Sequence, residues 1–485
     1  MKNIIEKIKK SLLVKRTTTI IFMLVIIALF IVLTLWVNGL DLNPIDFTSE
    51  KLYTLTDTSK EKIKSVENDV NMYFIGYQEG DSVIDLAKQY KVANNKINVE
   101  VTNATSRPDL AEKYGIDNNS NGIIVESKDK TKILSQSDFY TYDPKTYEEI
   151  DITEEKLTNS ILYVVAPKIP IIYFLEGYSE FSTSANMNYL ITYLKNEVTE
   201  YKTVNVLTTG SIPEDCDTLI ITSPTKDFDD VAANAITNYI NNGGNILWFN
   251  LAVTEKQDLP NVNRILGMYG VNPFEVGVIN ETNTAKMMTE APSIILPNVS
   301  YSPITKNIPA VLLINATKIN FATDEELQNL KVTKTDLLQA SESAFFRTNF
   351  NITSNSKQSG EEEGPFVVGS ELQKKISEAN SETGESEKIS KLVIYGENLF
   401  ISDYTITQSS SYPMISYSYN KDLAMDSMAY LVDRQEDIVI RKDRNTINYT
   451  ATLKQDNIIQ GIIFGVPVVI IFTGILVWQH RRRKK

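Results

Sequence analysis

Two carboxylates four residues apart, Glu176 and Glu180, sit in the run Glu176-Gly177-Tyr178-Ser179-Glu180-Phe181. If that turn continues into a helix, the spacing puts both on one face. Neighbouring carboxyl groups can then serve as acid and base. A glycosidase uses such a pair at a set separation across a sugar, which spacing alone does not give. A capped, solvated turn is the simpler reading. Other chemistry is scarce in these 485 residues, which hold one histidine, His480, and one cysteine, Cys216. A single histidine beside the basic C-terminal run supports no Ser-His-Asp triad, Cys-His dyad or histidine-ligated zinc. A lone cysteine makes neither an internal disulfide nor a CxxC motif. Cys216 precedes a strand in PEDCDTLII, and Glu214, Asp215 and Asp217 beside it disfavour a thiolate. Asn241-Asn242-Gly243-Gly244 lacks the phosphate-loop pattern and closes a helix instead of opening one. It reads as a C-cap with a left-handed glycine. No loop has the EF-hand pattern, and no cofactor is implied.

Strands and helices must position these groups. From about Pro170 the chain alternates between them: IPIIYFLEG, then the helix MNYLITYLKNEV, then the strands KTVNVL and DTLIITSP. The helix DDVAANAITNYINNGG and the strand NILWFN follow. Strands separated by helices imply a parallel sheet with right-handed crossovers. Its strands resume at PFVVGSEL (365–372) and KLVIYGENLF (391–400), and a last helix is DLAMDSMAYLVDR. Ligands of open α/β sheets bind beyond the carboxyl ends of the strands. That rule selects Glu176 to Phe181, Ser223-Pro224-Thr225 and Glu397-Asn398-Leu399. The candidate ligand-binding residues are therefore Glu176, Gly177, Tyr178, Glu180, Ser223 and Asn398, with no catalytic or metal-ligating residue among them. Residues 68–137 carry a separate β-α-β-α-β-β order, that of a thioredoxin-like domain without its cysteine pair. Segments 353–364 and 376–390 are rich in Ser, Glu, Asn and Gly and read as mobile surface loops.

Two apolar segments flank these units, 17–37 and 458–478. Each is about the 20 residues a helix needs to cross a bilayer. Eleven of the 48 basic residues lie in the two tails outside them, against one of the 61 acidic ones. The positive-inside rule then puts both termini in the cytoplasm and residues 41–457 outside the cell membrane. The intervening stretch is strongly acidic, which argues against a nucleic-acid partner. The expected order is a basic tail (1–16), a span (17–37), a thioredoxin-like ectodomain (38–165) and a second α/β ectodomain (166–440). A linker (441–457), a second span (458–478) and a basic tail (479–485) complete it.

The layout resembles the auxiliary, substrate-binding-like subunits of bacterial ABC-type transport systems, the family of the gliding-motility component GldG. After the first apolar segment comes Asp46, Thr48, Lys51, Tyr53 and Leu55, in the family's D-x-T-x-x-K-x-Y-x-L spacing, with Thr58 three residues on, one short of the family's following x-x-x-T. The family's G-H-G-E motif corresponds to Gly177-Tyr178-Ser179-Glu180, where glycine and glutamate match and the histidine does not. A strand–loop–helix–GG–strand stretch, the element Leu266 to Val271 and KLVIYGEN follow in order. The resemblance implies that the second α/β unit has a class I glutamine-amidotransferase-like fold without its catalytic Cys and His. It also implies separately encoded ATPase and permease partners, since this chain has no Walker A motif.

The function expected is a non-catalytic, membrane-anchored extracytoplasmic auxiliary subunit that binds a substrate or a cell-envelope ligand, its spans packed in the lipid bilayer against the permease. The alternatives are a carboxylate-based envelope hydrolase working through Glu176 and Glu180, and a structural or signalling tether.

Overall fold

The computed structural model describes residues 54–115, 121–142, 149–179, 181–252, 254–288, 291–378, 387–406 and 412–433, together with Val25, Ile27, Ala28, Leu29 and Val32. In the N-terminal part, α1 (Asp57–Lys64) is capped by Thr56, whose side chain accepts the Ser59 N–H. Then follow β1 (Val70–Ile75), α2 (Ser82–Ala93), β2 (Ile97–Thr102), α3 (Pro108–Tyr114), β3 (Gly122–Ser127) and β4 (Lys130–Leu134). The sheet order is β2-β1-β3-β4. β1 runs parallel to β2 and antiparallel to β3. The hairpin strands β5 (Tyr140–Tyr142) and β6 (Glu149–Asp151) lead into α4 (Thr153–Val165). Met72 and Phe74 pack with Ile84 and Tyr90 of α2 and with Leu157 and Ile161 of α4. Glu154 fastens α4 to α1, because its Oε1 accepts the Thr56 N–H and the Thr56 hydroxyl, each at 2.7 Å.

The large sheet begins with β7 (Ile171–Leu175), α5 (Asn188–Leu194), β8 (Glu200–Val204) and β9 (Thr218–Thr222). It continues with α6 (Asp230–Asn241), β10 (Asn245–Phe249) and α7 (Pro260–Gly267). Farther on come β11 (Asn298–Val299), β12 (Val332–Gln339), β13 (Val367–Ser377), β14 (Lys388–Tyr395) and α8 (Asn420–Leu431). In space the order is β11-β12-β13-β14-β10-β9-β7-β8. β8, β7, β9, β10 and β14 are mutually parallel, and β13, β12 and β11 add an antiparallel edge. The central strands IIYFL, TLIIT and NILWF are near-continuous apolar runs, as befits strands covered on both faces. Tyr173, Ile221 and Trp248 face one core, with Ile236 of α6 and Ile265 of α7. Phe174, Leu247 and Phe249 face the other, with Leu190 of α5 and Leu423 of α8. Gly243 closes α6 at φ +83°, the left-handed cap expected.

The two-span architecture and the membrane localisation built on it are corrected. Among the described residues no helix is long and apolar enough to cross a membrane. The longest described helix, α4, has 13 residues and rises roughly 20 Å, short of the ~30 Å hydrocarbon core. Within 17–37, only Val25, Ile27, Ala28, Leu29 and Val32 are described, as exposed helical residues, and 458–478 lies outside the described residues.

Segment 353–364 is gathered round a buried arginine. Arg347 donates from Nε to Glu361 at 2.7 Å and from Nη2 to the Ser356 carbonyl at 2.9 Å. It lies on Ala344–Arg347, the middle strand of a small sheet with Val278–Glu281 and Glu362–Glu363. Residues 376–377 and 388–390 belong to the hairpin β13–β14, and 379–386 lie outside the described residues.

Candidate functional site

Because β7, β9, β10 and β14 are parallel neighbours, their carboxyl ends meet at one edge. Each strand there hands its last backbone bond to the next. The Ser223 N–H donates to the Phe249 carbonyl at 2.7 Å, and the Asn250 N–H to the Tyr395 carbonyl at 2.9 Å. Ser223 is held at φ +38°, in the left-handed region. A non-glycine residue there costs on the order of 1 kcal/mol and persists only where its surroundings fix it.

Two hollows open at this edge. The larger, about 280 Å³, is lined by Ser223, Thr225, Asn250, Lys256, Gln257, Asp258 and Asn263, with Leu259, Val262 and Phe274 as apolar walls. Its size lies near the lower bound, about 300 Å³, of small-molecule sites. The smaller, about 100 Å³, is bordered by Glu176, Gly177, Ser179, Phe181 and Thr222. Asp227 holds α7 beside the larger hollow by accepting the Asn261 and Val262 N–H groups at 3.1 and 3.0 Å.

The sequence candidates divide. Glu176 and Gly177 border the smaller hollow and Ser223 the larger. Tyr178 turns inward instead: its ring packs edge-on against Phe228 at 5.0 Å and its hydroxyl donates to Asp229. Asp229 also caps α6 by accepting the Val231 and Ala232 N–H groups, and the Tyr178 hydroxyl together with these bonds pulls its carboxyl below the usual range. Burial first, then this bond, raises the Tyr178 phenol. Tyr178 thus ties the turn after β7 to the start of α6. Glu180 lies outside the described residues. Asn398 is buried and lines neither hollow, and its Oδ1 has no partner among the described residues. Asn250, Lys256 and Gln257 are the additions. Asn250 was legible by the same strand-end rule, being the last residue of NILWFN; the other two sit on a loop without a pattern.

Glu397 is fully buried behind this edge, accepting the Leu399 and Phe400 N–H groups at 2.8 Å each. Burial pushes its carboxyl up to about 8 against the pull of those bonds. Cys216 is also buried, and desolvation pushes its thiol up to about 12. The native protein is expected to resist an aromatic disulfide reagent at mildly alkaline pH, and the urea-unfolded chain to react at once. Equal labelling of both, followed by absorbance, would contradict the burial.

A family model described as an ABC-type uncharacterized transport system matches residues 170–427, just over half of the 485 residues. The chain belongs to that family. The match takes in every strand of the large sheet and the whole edge just described, so this transport auxiliary carries its family signature where the two hollows lie. A second model, a domain of unknown function (DUF7088), matches residues 49–142 of it. No curated protein matches the transport auxiliary. Among solved structures it is similar to the N-terminal domain of mmIFT52, at 14% identity and a TM-score of 0.37, over 54% of this chain and 97% of that one. It is also similar to a putative ThuA-like protein from Bacteroides uniformis, at 15% identity and a TM-score of 0.33, over 55% and 92%.

Proposed function

We propose that this transport auxiliary is a non-catalytic recognition subunit, working with a separately encoded ATP-hydrolysing subunit and permease. The observation that carries the reading is the family match over residues 170–427. Two of the groups apt for chemistry near the edge are already occupied. The Tyr178 hydroxyl donates to Asp229 and the Glu397 oxygens accept backbone N–H groups, while Cys216 lies at the opposite, amino end of β9, buried as the thiol. What the larger hollow offers is recognition: amides, hydroxyls, one lysine and the single carboxylate of Asp258 over apolar walls, at the strand ends. We take this hollow as the binding site of the solute or envelope component that the transport system handles.

Ala252 lines the same hollow. Substituting Ala252→Trp in the complete system is expected to fill it and to cut function about tenfold or more in a deletion background, with the protein still present and folded. Glu176→Gln and Glu180→Gln are expected to stay within about twofold of wild type, because recognition needs no acid–base pair. Loss of function in Glu180→Gln with intact folding, and none in Ala252→Trp, would replace this reading with the hydrolase.

A further inference from the structure

A larger cleft lies away from that edge, in the N-terminal part, with a volume of about 360 Å³. It opens at the carboxyl end of β1, against the start of α2 and the start of α4. This is within the size range of small-ligand sites, about 300–1,000 Å³.

Its wall holds an unmet hydrogen-bonding group. Tyr77 lines the cleft, and its Oη is buried with no partner among the described residues. Burial, followed by Tyr140 and Asp81, raises this phenol. It therefore stays a neutral hydroxyl, able both to donate and to accept. A buried hydroxyl left unpaired is costly to the fold, and a bound group that satisfies it recovers that cost.

The rest of the lining sets the chemistry. Two carboxylates face the cleft, Asp81 and Asp151, and no Lys, Arg or His lines it, so an anion is repelled. Both carboxylates stand at helix starts. Asp81 is the N-cap residue of α2 and accepts the Gln78 N–H at 2.8 Å. Asp151 accepts the Thr153 N–H at the first turn of α4, also at 2.8 Å. The positive ends of those helices offset the two charges, so the cleft does not require a cation to balance it. Asn121 and Gln136 add amides, and Phe139 and Tyr140 add aromatic surface. Carboxylates and amides that accept hydroxyl protons, beside aromatic rings that take C–H faces, make a surface suited to a sugar.

We propose that this cleft binds a neutral polyhydroxylated ligand of the mono- or oligosaccharide class, and that the Tyr77 hydroxyl, buried in the wall, turns outward to meet it. The site is separate from the hollow at the large sheet and stands or falls without it.

Calorimetric titration of the full-length chain tests this with glucose, mannose, galactose and N-acetylglucosamine. Glucosamine serves as the cationic control and galacturonate as the anionic one. At least one neutral sugar binds saturably, galacturonate does not bind, and Tyr77→Phe and Asp151→Asn each weaken binding about tenfold or more. Thermal melts of both variants within about 2 °C of wild type establish that the fold is kept. Absence of saturable binding by every neutral sugar overturns the proposal. So does binding that both variants leave unchanged, and so does binding of glucosamine alone.

Discussion

Replacing Glu397 with glutamine should abolish most of the fall in stability that the wild-type protein shows as the pH rises from about 5 to about 8. The carboxyl is fully buried, and desolvation lifts it from an ordinary 4.5 to about 8 in the folded state. Below the unfolded value both states are protonated and the group has no effect. Between the two values the unfolded chain gives up its proton while the folded chain keeps it. Stability therefore falls with rising pH through this window and levels off above it. The slope approaches about 1.4 kcal/mol per pH unit at most, so the whole window is worth on the order of 5 kcal/mol. The glutamine cannot ionise, so its curve should be flat. It should also start lower, by about 1–3 kcal/mol, because its NH₂ opposes the Leu399 or Phe400 N–H where a carboxyl oxygen accepted it. Urea midpoints across the window check both points. Parallel curves for wild type and Glu397→Gln would mean that Glu397 is not the buried acid described here.

The residue before it should be still less tolerant. A Cβ on Gly396 would lie 2.1 Å from the Thr317 carbonyl oxygen and 3.2 Å from its carbon. The backbone has no room to move aside. The Gly396 N–H donates to Val368 and its carbonyl accepts the Thr317 N–H, both at 2.8 Å. Gly396→Ala must break one of these bonds or displace the end of β14, and with it Glu397 and Asn398. The expected loss is on the order of 4 kcal/mol, seen as a fall of about 1 M or more in the urea midpoint. Gly267, the last residue of α7, is the matched control, because a Cβ there meets nothing within 4 Å. Gly267→Ala should fall within about 0.5 kcal/mol of wild type. A Gly396→Ala protein as stable as that control would show that the close approach to Thr317 does not exist in solution.

These two neighbours show what a sequence does and does not reveal. The runs IIYFL, TLIIT and NILWF are continuous and apolar, so the parallel strands are legible, and the strand-end rule then finds Ser223 and Glu397-Asn398. The burial of Glu397 is not legible. Its cover includes the segment around Thr317, about 80 residues away, which carries no strong periodicity. The same limit hides the direction of β13 and β12: an apolar run names a strand but not its partner's polarity. Tyr178 occupies the histidine position of a family motif, yet its side chain answers to Asp229, 51 positions on. Segment 353–364 has the composition of a loose loop, and a single buried residue, Arg347, gathers it. Hydropathy read two crossings from apolar length alone; among the described residues no helix has the length for one, and 458–478 lies outside them.

The central claim is that this chain works as a subunit of an ABC-type transport system. Chemical crosslinking in living cells, followed by isolation of the full-length protein and mass spectrometry of what is joined to it, tests that claim most directly. An ATP-hydrolysing subunit and a permease should be recovered, equally with wild type and Ala252→Trp. Recovery of the protein alone, or joined only to envelope hydrolases, would contradict it.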